Sequence, residues 1–180
     1  MSKLINLLLR YFIIVVFALS NFYILYLIFT PLTIYLTKYL LQLFYEVLLV
    51  GNILFIGEHS IEIIEACVAG AAYFLLIALN FATPMKLSQR IKSIIFSTAL
   101  FFVINVLRIV IFSVLIINSF KYFDLTHMIF WYFLSTVFIV LIWFITVKIY
   151  KIKDIPAYTD IKYLYSNSLF AKNSTKNKSK

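Results

Sequence analysis

With 64% of its 180 residues hydrophobic, 13% charged and a mean hydropathy of +1.01, the chain is too apolar for a water-soluble domain. Aromatic residues make up 19%, with only three Gly and three Pro, which excludes a disordered or loop-rich protein. The formal charge of +9 would suggest nucleic acid in a soluble chain, but here the bases flank apolar runs and answer to membrane topology instead.

The length leaves room for about four to six helical spans of ~20 residues. A basic start, Lys3 and Arg10, leads into an apolar run over 11–29. A signal peptide would have an apolar core of only ~7–15 residues. A retained first span is therefore predicted over 10–30. Residues 32–50 carry Lys38, Gln42 and Glu46 at i, i+4 and i+8, which puts the three polar groups on one helical face. That pattern predicts an amphipathic helix lying at the interface, or folded back against the bundle, rather than a crossing. Over 47–64, β-branched residues surround the turn Gly57-Glu58-His59-Ser60 and predict a short β-hairpin. Lipid cannot satisfy a strand edge, so the hairpin belongs among headgroups or against protein.

Further spans are predicted at 65–83, 92–118 and 127–148. Thr83-Pro84 and the polar stretch Lys86 to Arg90 separate the second from the third, and Asn118 to Asp124 separate the third from the fourth. The predicted fold is an all-α integral membrane protein of about four transmembrane helices, with an interfacial helix and an extracytoplasmic hairpin. Residues 1–150 form the membrane-embedded domain, and the basic segment 151–180 is predicted to be a disordered cytoplasmic tail. Four crossings place Lys3, Arg10, Lys86, Arg90, Lys92, Lys148 and the tail on the cytoplasmic side. Glu46, Glu58, Glu62, Glu65 and Asp124 then lie outside, as the positive-inside bias requires. The expected location is the cytoplasmic membrane, with both termini in the cytoplasm.

Three reactive residues stand out against this background: Arg108 in the apolar run 91–117, the single cysteine Cys67, and His127. A charge near the bilayer centre costs roughly 2.5–3.5 kcal/mol on insertion scales, so Arg108 needs a partner or a task. At a rise of about 1.5 Å per residue, Cys67 and Arg108 each lie about 24 Å above the inner ends of their helices, and His127 about 31 Å above Lys148. All three fall in the outer half of the membrane or at its rim. A thiol is nucleophilic as thiolate, a form favoured by a helix N-terminus and a nearby cation. Imidazole carries protons to a leaving amine. Cys, Arg and His at one depth therefore suit acyl transfer through a thioester.

Each residue also has a plainer reading. A lone Cys in an apolar helix is usually small packing. A His at a helix start is commonly interfacial, and His59 reads as a turn residue. Asn105, one turn before Arg108, suits orienting the guanidinium or bridging helices, and Glu65 is a candidate ion-pair partner for Arg108.

At these residues the chain resembles the exosortase/archaeosortase family of membrane transpeptidases. The resemblance covers roughly residues 45–150 and lies in residues 61–70 (IEIIEACVAG), in Asn105-Val106-Leu107-Arg108 and in His127. It departs where Val68-Ala69-Gly70 follow the cysteine, since a small hydroxyl residue and then Gly are more usual there. The resemblance implies Cys67 as nucleophile, Arg108 as activating or oxyanion-binding cation and His127 as proton carrier, with Asn105 and Glu65 in support. It implies substrates with a C-terminal motif, a transmembrane helix and a basic cluster, and transfer of the new carboxyl end to an acceptor such as a lipid. No nucleic acid, cofactor or metal is expected. The rival expectation is a non-catalytic transport or assembly protein in which Arg108 holds a structural or ligand-binding ion pair.

Overall fold

The computed structural model describes residues 3–20 and 22–167. Its elements run α1 (Lys3–Leu19), α2 (Tyr23–Leu41), β1 (Leu48–Val50), β2 (Ile53–Ile56), β3 (His59–Glu62), α3 (Glu65–Val68), α4 (Gly70–Ala82), α5 (Leu87–Ile117), α6 (Phe123–Ile129), α7 (Ser135–Ile149) and α8 (Tyr158–Asn167). A π-helical turn, Phe130–Leu134, joins α6 to α7. Three segments are long and apolar enough to cross a membrane: Tyr23–Leu41, Glu65–Ala82 and Leu87–Ile117. Two shorter apolar helices, Leu4–Leu19 and Ser135–Ile149, accompany them. The chain is thus a mainly helical membrane protein with a small sheet.

The first predicted span, 10–30, is two helices. Ser20 turns its hydroxyl back onto the Phe17 carbonyl at 2.8 Å, and Phe22 takes a left-handed conformation (φ 59°) ahead of α2. Hydropathy is blind to this break because both sides of it are equally apolar. The interfacial helix predicted over 32–50 is also corrected. Helix α2 continues through Pro31 and ends at Leu41, so Lys38 lies in its last turn, Gln42 caps it, and Glu46 falls in the following loop. The three side chains share no helical face. The buried stripe of α2 is Leu25, Thr33, Ile34, Thr37 and Leu41, close to a four-residue spacing, while Ile24, Leu27, Ile28 and Tyr35 face outward.

The hairpin is present and gains a strand. An antiparallel sheet runs β1-β2-β3, with Val50 opposite Ile53 and Ile56 opposite His59. Two-residue connections link the strands, and Gly51 (φ 63°) and Gly57 (φ 58°) supply the positive φ that such tight turns require. His59 opens β3 rather than sitting in the turn. Leu54 and Ile56 point inward while Phe55 points out, so one face of the sheet closes over the helices. That face joins Ile34, Leu41, Ile63, Val68 and Ile109 in one apolar cluster. A second cluster, around Tyr73, Leu76, Phe101 and Ile142, ties α2, α4, α5 and α7 together.

Polar side chains also tie α4 to α5. Asn80 donates to the Leu76 carbonyl at 2.8 Å and accepts from Ser93. Hydrogen bonds of this kind hold helices together where lipid removes the hydrophobic drive between them. The disorder predicted from 151 onward does not begin there. Helix α8 folds back, and Asp160 receives both bonds from one Arg10 nitrogen at 2.7 Å. The part of the predicted tail over 168–180 lies outside the described residues.

Gly70 is where α4 meets α2. A Cβ added there would stand 2.6 Å from Cζ of Tyr26. Gly70→Ala should therefore destabilise the protein by about 1–3 kcal/mol, as overpacking does. The loss should show as a lower unfolding temperature in detergent. In a Tyr26→Ala background the same change should cost little, because the ring it strikes is gone. Equal costs in both backgrounds would refute this contact.

Candidate active site

Cys67 is the third residue of α3, a single turn that follows the sheet and is entered through the extended residue Ile64. The turn cannot continue into α4, because Ala69 adopts a left-handed conformation at φ 60° and ψ 48°. For a residue with a Cβ this costs roughly 1–2 kcal/mol. Cys67 accordingly does not stand in the first turn of a long helix, as the sequence suggested. It stands on a separate one-turn step ahead of α4.

A break of this kind leaves carbonyls without helical donors. The amide of Asn105 donates to the carbonyls of Cys67 at 2.9 Å and Val68 at 3.3 Å. Arg108, one turn further along α5, gives one terminal nitrogen to the Cys67 carbonyl at 3.3 Å and the other to Ser135 Oγ at 3.1 Å. Ser135 sends its own proton to the Phe130 carbonyl at 2.9 Å, across the π turn. A π turn is a common device at functional sites, and here it aims a hydroxyl at the guanidinium.

Cys67, Arg108 and His127 line one cavity of about 270 Å³, together with Glu62, Ser113 and Phe112. The His127 ring stacks on Phe123 (5.7 Å between centroids, 7° apart) and stands edge-on to Phe112 at 5.2 Å. Arg108 also lines a second cavity of about 330 Å³ with Tyr26, Glu65, Gly70, Ser135 and Thr136. Arg108 thus stands in the walls of two cavities, one lined also by Cys67 and the other by Glu65. Glu65 is exposed, and among the described residues it makes no ion pair with Arg108. The charge on Arg108 is met by a carbonyl and a hydroxyl instead. Among the described residues no group of three or more His, Cys, Asp or Glu side chains is arranged to hold a metal.

Sequence reasoning named Cys67, Arg108, His127, Asn105 and Glu65, and missed Ser135. Its one available signal was Ser135-Thr136 interrupting the last apolar run two turns after His127. The π turn that aims it has no sequence signature. Compared with known proteins, the chain matches no family model, no curated protein and no solved structure.

Asn105 is 2% exposed and holds two carbonyls at once. Replacing it by Ala should destabilise the fold by about 1–3 kcal/mol, the cost of leaving buried polar groups unsatisfied. Asn105→Asp, which removes the donor at nearly constant shape, should be at least as damaging. Unfolding temperatures unchanged in both variants would show that the Asn105 bonds contribute nothing.

Proposed function

We propose that the chain is a cysteine-dependent membrane transpeptidase or protease. It cleaves a C-terminal sorting signal of exported proteins and passes the new carboxyl end to an acceptor, a lipid among them. The observation that carries this reading is the single cavity lined by Cys67, Arg108 and His127. The Cys67 thiolate attacks the scissile carbonyl and forms a tetrahedral oxyanion. A guanidinium has five N–H donors, and two nitrogens of Arg108 are engaged by Cys67 and Ser135, so donors remain for that oxyanion. His127 passes a proton to the departing amine, leaving a thioester on Cys67. The second cavity gives an acceptor a separate approach to Arg108, and Glu65 stands on its wall. Attack by the acceptor, whose proton returns to His127, then breaks the C–S bond and releases the thiolate.

In this reading the chain crosses the cytoplasmic membrane four times, the first crossing being α1 and α2 in series. Arg10 reaches the Phe81 carbonyl at one end of α4, while Leu41 packs with Val68 and the sheet at the other. Both termini then lie in the cytoplasm, with the basic loop Lys86 to Lys92, and the site faces outward. Substrates are membrane proteins bearing a motif, a transmembrane helix and a basic cluster.

A second reading has its own observation. Arg108 and Asn105 both bond backbone at the Ala69 break, so their task would be structural and the protein a transport or assembly partner. Two experiments bear on the choice. Cys67→Ala should abolish processing of a co-expressed substrate while protein level stays normal, since only the thiol is lost. Retained processing overturns the enzyme reading. Arg108→Lys should be nearly as inactive as Arg108→Ala, because a flexible ammonium does not reproduce a planar fork. Near-normal turnover with Lys would reduce Arg108 to a simple counter-charge.

Sidedness is checked with an impermeant thiol reagent. Cys67 should react from outside intact cells, slowly, whereas Ser88→Cys in a Cys67→Ala chain should label only after permeabilisation. The reverse pattern would turn the site to the cytoplasm and exclude exported substrates.

A further inference from the structure

The end of the bundle away from Cys67 buries more positive charge than its carboxylates balance. Arg10, Arg90 and Asp160 are 5%, 8% and 6% exposed. Asp160 takes two bonds from Arg10 at 2.7 Å and one from the Tyr11 hydroxyl at 3.3 Å. Arg90 bonds the Thr83 carbonyl at 3.2 Å, lies over the Phe81 ring at 5.4 Å, and is within electrostatic reach of both Arg10 and Asp160. Among the described residues only Arg10 is in ion-pair contact with that carboxylate, and Arg90 has a carbonyl and a ring instead. The Nε atom of each arginine is buried without a hydrogen-bond partner. A buried donor and a surplus buried charge are both costly unless something anionic answers them.

Two cavities open at this place. One, of about 250 Å³, has Arg10, Asp160, Asn6 and Thr159 in its wall. The other, of about 260 Å³, is walled by Lys86, Gln89, Lys151, Lys153 and Asp154. Pro84 and Met85 belong to both, so the two are neighbours. Among the described residues Lys86, Lys151 and Lys153 have no ion pair. Lys151 adopts φ 50° where the Ile152 amide closes α7 on the Val147 carbonyl at 3.0 Å. Glycine or asparagine usually fills that position, so a lysine there is strained. Leu4 and Leu8 of α1, Leu87 of α5 and Ile155 are exposed and apolar around the same end.

We propose that these adjoining cavities bind the phosphate of an anionic phospholipid headgroup. The three lysines face its oxygens with Arg10 in the adjoining wall, and its acyl chains lie along Leu4, Leu8 and Leu87. Arginine and lysine are the side chains suited to phosphate, and basic pockets between membrane helices take such headgroups. Inorganic phosphate offers the same oxygens but makes no use of the apolar flanks. The proposal is independent of the cysteine chemistry, and its test measures no processing.

The test uses the purified full chain in neutral detergent, with thermal unfolding followed as short-chain phosphatidylglycerol, short-chain phosphatidylcholine or inorganic phosphate is added. At about a hundred times its dissociation constant, phosphatidylglycerol should raise the unfolding temperature by about 5 °C or more. Phosphatidylcholine should not, and phosphate should act more weakly. The triple variant Lys86→Gln, Lys151→Gly, Lys153→Gln should not lower the lipid-free unfolding temperature and should lose about tenfold or more in phosphatidylglycerol affinity, since three cations that attract the phosphate are gone. Lys151→Gly alone removes a charge and relieves the backbone, so it carries the test if the triple variant fails to fold. Lys162→Gln, at a lysine that lines neither cavity, should bind as the unaltered chain does.

Equal stabilisation by the two lipids, undiminished affinity in the lysine variants, or an equal loss with Lys162→Gln would overturn the site. Stabilisation by inorganic phosphate as strong as by phosphatidylglycerol would assign the cavities to a soluble anion and overturn the lipid.

Discussion

Backbone carbonyls inside a membrane protein have no water to fall back on, and the carbonyl of Cys67 is where that constraint shapes this molecule most. The left-handed Ala69 ends α3 after one turn and sets free the carbonyls of Cys67 and Val68. Asn105 and Arg108, one turn apart on α5, supply the donors. Arg108 in turn needs something for its second nitrogen, and the π turn before α7 provides Ser135. A single backbone irregularity thus fixes the relative placement of α3, α5 and α7. It also places an intramembrane cation beside the only thiol. A change at Arg108 therefore disturbs the fold as well as the cavity, whereas loss of the Cys67 thiol leaves these backbone bonds in place.

The opposite end is held by other forces. There Arg10 and Asp160, 150 residues apart in sequence, form a buried ion pair that folds α8 back onto α1. Gln89 adds a bond to the Tyr150 carbonyl at 2.6 Å, drawing α5 and the end of α7 together. Removing one partner of a buried pair leaves an uncompensated charge, so Arg10 and Asp160 depend on each other. Between the two ends, stacked Phe29 and Tyr73 and the Asn80–Ser93 bond keep α2, α4 and α5 in register.

Much of this was legible in the sequence wherever the signal was local. The apolar runs, the Gly57 turn and the oddity of Arg108 each announced themselves in a few consecutive residues. What stayed hidden depends on distant partners or on backbone conformation without a sequence mark. Ala69 carries no glycine-like hint of a left-handed turn, since the neighbouring Gly70 would be the natural guess. Phe22 splits an apolar run whose hydropathy is unbroken, and the helix after it runs on past residue 30 through Pro31 to Leu41. The polar spacing of Lys38, Gln42 and Glu46 fitted a helix that ends before the last two are reached. Asp160 read as part of a solvated tail because its partner is at the other end of the chain.

Helix α5 is 31 residues long, which at about 1.5 Å per residue is roughly 46 Å, well beyond a hydrocarbon layer of ~30 Å. Tilt absorbs only part of such an excess, so several residues at its ends must stand among the headgroups. The polar first turns, with Gln89, Arg90 and Lys92, suit that position. Because Arg108 is rigidly part of the same rod, bilayer thickness sets how far its guanidinium lies below the opposite surface. A thinner membrane tilts the rod and lifts the cavity toward water, and a thicker one sinks it. The hydration of the site is thereby governed by the lipid that surrounds the protein as well as by the side chains that line it.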